Sequence, residues 1–333
     1  MDSSPSDRLA AGDYFDVLLV DLGERDPRYA GILTPIQELH EEKVGVTKQF
    51  LDDAQIYHEN YSVSEHYRAF FEMGFAQAGV GVPGEPLILD IGSGSGSNSI
   101  IPCLSLFPGC RIIGTDISPQ LLALLNRYIR QERLGDRVVC VCTDAMQNFL
   151  RPNCFDVVTG SAILHHLMDP ERALASAHRA LKSGGTAIFF EPFEGFGVLG
   201  LAYRNIIDLG RDRFVLPPKT ETVLKALVFD FETRKGTDKS AAHFRIMDDK
   251  WLFTHHYLER VSLKIGFRRL KIIPHRPPIN DFRNATGNFL GHCGLKMADL
   301  PDWGWEIIDM YDAQFSPEMK ADMPLEATIV LQK

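Results

Sequence analysis

The sequence lacks several features that mark specialised classes of protein. Its six cysteines include no C-x-x-C pair, which argues against a disulfide framework or a cysteine zinc site. Basic residues number 35 against 44 acidic ones, so the formal charge of −9 gives no reason to expect a nucleic-acid partner. Also missing are an apolar run of membrane-spanning length and an N-terminal secretion signal. We therefore expect a cytoplasmic protein that binds neither nucleic acid nor membrane.

A glycine-rich segment behind an apolar run is the most informative pattern present. Residues 87–91 are apolar except for Asp90, and three alternating glycines follow them. Such a run predicts a buried parallel strand that enters a tight turn, where glycine lets the backbone approach a ligand closely. A dinucleotide-binding turn would place its third glycine where Ser97 stands, and Asp90 would repel a pyrophosphate. The pattern instead favours a positively charged ligand group near Asp90. The glycines are Gly92, Gly94 and Gly96.

Three more short apolar runs follow this loop, and two of them end in an acid. Asp116 closes the first run about 20 residues after the loop, the interval expected for a carboxylate that binds ribose hydroxyls. Asp144 closes the second, where it can accept a hydrogen bond from the amino group of a base. The third run, 155–160, leads to the adjacent histidines His165 and His166.

Residues 85–192 resemble class I S-adenosylmethionine-dependent methyltransferases in the loop, in both acids and in the order of the runs. The resemblance implies that the glycine loop holds the methionine part of S-adenosylmethionine, that Asp116 binds the ribose and that Asp144 contacts the adenine. It also implies a doubly wound α/β fold with a mostly parallel, seven-stranded Rossmann-like sheet whose last strand is antiparallel. The residues expected to complete the cofactor site are Asp90, Ile117, Ala145 and Ser161.

Segments outside the minimal sheet divide the chain into four parts. Residues 1–84 look helical and predict an N-terminal extension or lid, before the cofactor-binding half at 85–192. Residues 193–253 predict an inserted lid or a homodimerisation segment. Residues 254–333 complete the core sheet, with a second insertion at 278–323. Insertions of this length inside a compact domain commonly form lids or bind partners.

Aromatic and basic side chains in these segments are candidates for substrate binding. Tyr57 and Tyr61 resemble the aromatic N-terminal lid that closes over the cofactor in many members of the family. Tyr203, Arg211 and Arg213 stand in the first insertion, where positive charge beside apolar residues suits a substrate with an apolar body and an anionic group. An amphipathic helix that packs on the sheet or dimerises would produce the same pattern.

Three residues after the fourth and fifth predicted strands are candidates for a proton acceptor. His165 and His166 have the right ordinary pKa for a base near neutral pH, and Glu191 closes the fifth strand. Glu191 could instead stabilise a cation. The side chains of adjacent histidines diverge on a helix or a strand, so we expect no metal site.

These features predict methyl transfer from S-adenosylmethionine to a small or medium organic metabolite, most often at oxygen, by in-line displacement. Residues 161–164 lack the Asn/Asp-Pro-Pro-aromatic motif of relatives that methylate nucleobases. Two alternatives stay open: a carbon methyltransferase that acts on an isoprenoid diphosphate, and a catalytically silent, cofactor-binding partner subunit. A dinucleotide oxidoreductase is disfavoured by Asp90 and Ser97.

Overall fold

A single sheet of nine strands organises the protein. The structure, a computed structural model, describes residues 9–40, 47–78, 81–276 and 281–333. The strands are β1 (Leu19–Asp21), β2 (Leu33–Pro35), β3 (Leu87–Ile91), β4 (Arg111–Asp116), β5 (Val138–Cys142), β6 (Phe155–Ser161), β7 (Leu181–Pro192), β8 (Arg269–Pro274) and β9 (Glu326–Gln332).

The order of the strands across the sheet is β1-β2-β5-β4-β3-β6-β7-β9-β8. All neighbours from β2 to β7 are parallel, whereas β1 pairs antiparallel with β2, and β9 lies antiparallel between β7 and β8. The seven strands β3 to β9, the last of them antiparallel, agree with the predicted sheet, and β1 and β2 extend it beyond β5. The chain leaves β3 through β4 and β5 and then returns to the other side of β3 with β6. This reversal opens a crevice at the carboxyl ends of β3 and β6.

Helices cover the sheet on both faces. The helices are α1 (Ala54–Tyr61), α2 (Ser64–Ala78), α3 (Ile100–Leu106), α4 (Pro119–Gln131), α5 (Pro170–Ala180), α6 (Gly195–Asp212), α7 (Pro218–Arg234), α8 (His255–Ile265), α9 (Asp281–His292), α10 (Asp302–Ala313) and α11 (Pro317–Asp322). In α4, Ser118 caps the first turn by accepting the Leu121 N–H, and proline follows at the first helical position. Among the described helices, none combines the length and the apolar character that crossing a membrane requires.

Two apolar cores lie on the two faces of the sheet. Side chains of β3 alternate between them: Leu89 and Ile91 belong to one core, and Ile88 belongs to the other. Every residue of β3 is buried, as expected of a central parallel strand covered on both faces. The functional residues at the end of β3 therefore stand on a rigid element.

The N-terminal segment is less helical than the sequence predicts. Residues 54–78 do form two helices, but residues 9–40 consist of short 3-10 turns and the strands β1 and β2. The Thr34 hydroxyl in β2 donates to the Cys142 carbonyl in β5 at 2.9 Å. This pairing covers the edge of β5, whose unpaired backbone groups would otherwise face solvent. Residues 1–8, 41–46, 79–80 and 277–280 of the predicted segments lie outside the described ranges.

The two insertions pack against each other in one helical layer, formed by α6, α7, α9 and α10 around a third apolar core. Phe231 of α7 stacks on Phe196 of α6 at 5.1 Å between ring centroids. Trp305 and Leu290 from the second insertion belong to the same core. The layer thus has an interior of its own.

Candidate functional site

A cavity of about 1000 Å³, open at its mouth, lies where strands β3 to β6 end. We call it the strand-end cavity. Its wall includes most of the residues that the sequence assigns to the cofactor, because parallel strands bring their carboxyl ends to one edge of the sheet. These lining residues are Gly92, Gly94, Asp116, Ile117, Asp144, Ala145 and Ser161.

The glycine loop requires glycine at two positions for different reasons. Gly92 has φ +69°, and a Cβ there would stand 2.5 Å from the Ile163 side chain. Gly96 has φ +80°, and a Cβ there would meet Leu125 Cδ1 at 2.5 Å. Gly92 lines the cavity, whereas Gly96 is not part of its wall. Gly96 therefore serves close packing of the loop on α4, and the structure does not place it at the wall where it was predicted to contact the cofactor.

Replacing Gly96 by alanine is expected to lower the free energy of unfolding by about 2–5 kcal/mol, from left-handed backbone strain and the clash with Leu125. Gly184 is the matched control, because its φ is +79° but no atom lies within 4 Å of a Cβ there. Gly184→Ala should cost only the strain of about 1–2 kcal/mol. Urea unfolding of both variants measures the difference, and equal losses would refute the packing role.

Asp116 is held rigidly at the end of β4. Its Oδ2 accepts the Gly94 N–H at 2.8 Å, and its Oδ1 accepts the Ser118 N–H at 2.7 Å. Burial raises the pKa of Asp116 to about 6. Each carboxylate oxygen has room for a second hydrogen bond, so two acceptor positions remain available to a diol in the cavity.

Asp90 is not part of the cavity wall, and this placement corrects the expectation that it meets a charged ligand group. Its Oδ2 accepts the Ser99 hydroxyl at 2.5 Å, and its Oδ1 accepts the Thr159 hydroxyl at 2.7 Å. Burial raises its pKa to about 6. Asp90 thus ties β3 to β6 and to the start of α3, beneath the glycine loop.

Asp144 and Ser161 keep their polar groups at the cavity wall. Asp144 Oδ1 accepts the Met146 N–H at 2.8 Å, which turns the chain just after β5. The Ser161 hydroxyl donates to the Asn98 carbonyl at 2.8 Å. The second oxygen of Asp144 is available to accept a hydrogen bond from a ligand amino group.

Aromatic side chains from the N-terminal segment close one side of the cavity. Phe50 and Tyr57 line it, with 5.0 Å between their ring centroids. The Tyr61 ring packs against Tyr57 in a tilted arrangement, with 4.8 Å between centroids, but it is 48% exposed and is not part of the wall. Of the two tyrosines predicted as a lid, only Tyr57 therefore contacts the cavity. In the sequence, Phe50 shares the three-to-four-residue spacing of Ala54, Tyr57 and Tyr61, which indicates a helix and does not assign Phe50 to the site.

Helix α1 is fastened to the glycine loop by polar contacts. His58 Nδ1 lies 2.7 Å from the Ser95 hydroxyl. Beyond the end of α1, the Ser62 hydroxyl lies 2.9 Å from the Ser97 hydroxyl. The lid residues and the loop therefore form one unit, and ordering of one favours ordering of the other.

The adjacent histidines come together, which corrects the expectation that their side chains diverge. They lie on a 3-10 turn, Leu164–His166, with ring centroids 4.0 Å apart. His165 Nδ1 stands 2.6 Å from a Glu191 oxygen, and its Nε2 stands 3.5 Å from Asp249 Oδ1. Burial lowers the pKa of His165, but the carboxylates of Asp249 and Glu191 outweigh it and raise the pKa to about 9. His165 is therefore a cation at neutral pH and a poor candidate for a base.

Glu191 holds the histidine turn in place by accepting hydrogen bonds from its backbone. Its Oε1 accepts the Ile163 and Leu164 N–H groups at 3.1 and 2.7 Å, and its Oε2 accepts the His165 N–H at 3.2 Å. The residue is 2% exposed and absent from the cavity wall. Its place corrects the prediction of a catalytic role, because these donors and the His165 ring already occupy its oxygens.

His166 is the histidine that lines the cavity. Its Nδ1 stands 3.1 Å from the Asp248 carbonyl and 3.2 Å from Asp249 Oδ1. Because both partners only accept hydrogen bonds at neutral pH, Nδ1 carries a proton, and Nε2 is the ring nitrogen left for another partner. The Phe50 ring meets His166 edge-on at 5.2 Å.

Asp249 joins the two histidines to the helical layer. Its Oδ2 accepts from Arg234 of α7 at 3.1 Å, while Oδ1 faces both histidines. Burial alone would raise its pKa, but His165 and His166 hold the pKa of Asp249 well below its usual range. The three ligand atoms lie within 4.8 Å of one another, close enough for chelation. Arg234 and His165 already balance the charge of Asp249, so nothing in this arrangement requires an ion.

The stability of this arrangement should depend on pH in a defined direction. His165 has a folded-state pKa near 9, above its ordinary value of 6.5, so its contribution is complete below about 6.5 and is lost as pH rises through 9. Urea midpoints measured from neutral pH to about pH 10 should fall in the wild type and fall less in His165→Gln. His256→Gln, an exposed histidine, is the control. Identical pH profiles for wild type and His165→Gln would contradict the assignment.

The predicted anionic anchor does not reach the cavity. Tyr203 is fully buried in the helical layer, where its hydroxyl lies 2.9 Å from that of Thr286. Arg211 is 64% exposed and pairs with Asp208, one turn earlier on α6, at 3.6 Å. Arg213 is exposed just past the end of α6. All three are absent from the cavity wall, because α6 turns its apolar face to the layer and its basic end to solvent.

Sequence reasoning missed the segment 248–250, which supplies Asp248 and Lys250 to the cavity wall and Asp249 to the histidines. In the sequence it is an ordinary run of charged residues in a loop, eighty-two positions beyond its nearest histidine contact. The one sequence feature that pointed to the site is that Asp248 and Asp249 belong to the insertion that begins directly after β7.

Comparison with known proteins identifies the central part of the chain. Residues 89–189 match the family model described as a methyltransferase domain. The chain is 28% identical over 104 residues to a demethylmenaquinone methyltransferase of Bacteroides fragilis, covering 31% of this chain and 42% of that protein. It is 31% identical over 117 residues to a ubiquinone biosynthesis O-methyltransferase of Methylococcus capsulatus, covering 35% and 47%. The chain thus spans less than half the length of these relatives.

A solved structure shares the overall fold. Phosphoethanolamine N-methyltransferase 2 of Haemonchus contortus was solved in complex with phosphomonomethylethanolamine and S-adenosylhomocysteine. It superposes with a TM-score of 0.52 at 16% identity, covering 98% of this chain and 71% of that one. At this identity the likeness concerns the Rossmann-like fold.

Proposed function

We propose that the chain transfers a methyl group from S-adenosylmethionine to a small organic acceptor, since residues 89–189 match the methyltransferase-domain model and resemble named methyltransferases. The observation that carries this proposal is the strand-end cavity. It brings the glycine loop, Asp116 and Asp144 together with His166 in one concave site. Such a convergence of polar groups in an otherwise apolar cavity is typical of small-molecule sites.

The residues present fit the cofactor. Asp116 retains an acceptor position on each oxygen for two ribose hydroxyls, and Asp144 retains one for the adenine amino group. A Cβ at Gly94 would meet nothing nearer than Leu121 at 3.9 Å, so the loop has open space on the ligand side. When bound, S-adenosylmethionine supplies a methyl group that is already activated on a sulfonium. The task left to the protein is to orient the acceptor, exclude water and remove a proton.

We propose His166 as the proton acceptor, in preference to His165 and Glu191. The N–H at Nδ1 is oriented by Asp249, so the lone pair of Nε2 can take a proton from the acceptor, as in other carboxylate–histidine pairs. Phe50 and Tyr57 restrict water at the same wall. A hydroxyl nucleophile must lose its proton as the methyl group is transferred, so a base at this wall fits transfer to oxygen. The names of the two relatives both refer to quinones, which agrees with a ring acceptor.

The basic residues that motivate the isoprenoid diphosphate alternative do not line the cavity. That alternative is motivated by the basic residues from Arg204 to Lys219, which stand beside apolar residues in the sequence of the first insertion. Arg204 pairs with Glu232, and Arg211 pairs with Asp208, both on half-exposed or exposed surface. The strand-end cavity contains none of these basic residues.

Calorimetric titration of the purified chain with S-adenosylmethionine, S-adenosylhomocysteine and NAD+ tests the cofactor assignment. We expect micromolar binding of the first two ligands and none of the third. Binding of the dinucleotide alone would overturn the proposal, because it would place a pyrophosphate in the glycine loop.

A further inference from the structure

One carboxylate oxygen at the strand-end cavity has no partner in the described part of the protein. Asp248 lines the cavity, and its Oδ1 is buried without a hydrogen bond. Among the described residues of the cavity wall, no other side chain carries such an atom. Leaving a buried polar atom unpaired costs about 1–3 kcal/mol, so native proteins retain such atoms chiefly where a ligand or water satisfies them.

The position of Asp248 is fixed by its backbone. Its carbonyl accepts from His166 Nδ1 at 3.1 Å and from Lys250 Nζ at 3.2 Å. The Lys250 N–H donates to the His165 carbonyl at 2.8 Å. These bonds fasten the segment to the histidine turn, so Asp248 stands beside the residue proposed as the base.

Within the described ranges the carboxylate of Asp248 forms no direct ion pair, and the Lys250 ammonium feels its charge only at longer range. No lysine, arginine or histidine nitrogen of those ranges is recorded within 4.0 Å of the Asp248 carboxylate. The ammonium of Lys250 is occupied by two backbone carbonyls, those of Met247 at 2.7 Å and Asp248 at 3.2 Å. A bare carboxylate attracts a hydrogen-bond donor and repels an anion. The site therefore favours a hydroxyl group over a phosphate or carboxylate.

The surroundings of this carboxylate favour a ring. Apolar and aromatic side chains make up much of the wall that Asp248 and His166 share, and a flat apolar body would fill it without leaving other polar atoms unpaired. These side chains are Phe50, Tyr57, Ile163, Leu167 and Met168.

We propose that Asp248 is the acceptor-binding residue of this enzyme and that its Oδ1 accepts a hydrogen bond from a ring hydroxyl of the methyl acceptor. The acceptor is then a phenol or catechol, not an anionic metabolite. The inference rests on the proposed methyltransferase function, since it assigns the acceptor end of the same cavity. In this proposal Asp248 discriminates among acceptors and takes no part in cofactor binding.

The test compares two probes on protein saturated with S-adenosylhomocysteine. Catechol carries two ring hydroxyls, and veratrole is the same ring with both oxygens methylated, so it cannot donate. We expect calorimetry to show that the wild type binds catechol at least about tenfold more tightly, and that Asp248→Ala abolishes the preference by weakening catechol alone. Asp212→Ala, which removes an exposed acid at the end of α6, should behave as the wild type. No preference in the wild type, or a preference that survives Asp248→Ala, overturns the proposal.

A stability measurement separates ligand binding from a structural role. Without ligand, Asp248→Ala should leave the urea midpoint unchanged or raise it, because it removes an unpaired buried atom. Asp249→Ala should lower the midpoint, because Asp249 is fully paired. Equal losses in both variants would make Asp248 a structural residue and contradict the inference.

The same titrations distinguish this inference from the proposed function. If S-adenosylhomocysteine does not bind the wild type, the methyltransferase assignment fails, and the acceptor assignment fails with it. If S-adenosylhomocysteine binds normally and Asp248→Ala does not affect catechol, only the acceptor assignment fails.

Discussion

Asp116→Ala is expected to weaken the binding of S-adenosylmethionine by about 100-fold or more. Hydrogen bonds to a charged group contribute about 1.5–3 kcal/mol each, and the proposal assigns two ribose hydroxyls to this carboxylate. The variant also frees the Gly94 and Ser118 N–H groups, so the glycine loop loses part of its order before the ligand arrives. Calorimetry with S-adenosylmethionine measures the loss directly.

Two further variants make that result interpretable. Asp116→Asn keeps one acceptor oxygen and should fall between alanine and the wild type. Asp212→Ala removes an acid from an exposed position and should bind S-adenosylmethionine normally. Unchanged affinity in Asp116→Ala, with native circular dichroism, would exclude the ribose assignment.

Replacing His166 by glutamine is expected to lower kcat by about 10²- to 10⁴-fold, the range contributed by a positioned general base. The affinity for S-adenosylmethionine should stay within about twofold, because the residues proposed to hold the cofactor are Asp116, Asp144 and the glycine loop. Methyl transfer to catechol measures kcat, and calorimetry measures the affinity.

His165→Gln is the matched comparison, since it changes the neighbouring ring. In the wild type, the His165 cation bridges Glu191 and Asp249 and lies outside the cavity wall. Its replacement should therefore lower the free energy of unfolding more than it lowers kcat. A His166→Gln enzyme with full turnover would refute the base assignment. A His165→Gln enzyme of native stability with the larger loss of kcat would transfer the role to His165.

The cofactor half of the site could be predicted from the sequence because its residues are local. Each of Asp116, Asp144 and Ser161 stands at the end of a strand, and a parallel sheet carries strand ends to one edge. Asp90 differs because β3 is buried on both faces. Hydrophobic pattern alone therefore does not say which way its side chain points.

The acceptor half could not be predicted in the same way, because its residues are distant in sequence. The different roles proposed for His165 and His166 depend on Asp249, which belongs to an insertion and contacts both histidines. The basic and apolar pattern of α6 fitted a pocket as well as a helical layer, and packing against α7 and α10 decided between them. Helix α5 ends at Ala180, because Leu181 already pairs with Phe155 in the sheet.

The most direct test of the account is transfer of a tritium-labelled methyl group from S-adenosylmethionine to small hydroxyl-bearing rings. The wild type should yield a labelled organic product with catechol or a related phenol, while Asp116→Ala and His166→Gln yield little. Tight binding of S-adenosylmethionine without transfer to any phenol in the panel would contradict the account. The chain would then fit the catalytically silent, cofactor-binding subunit better.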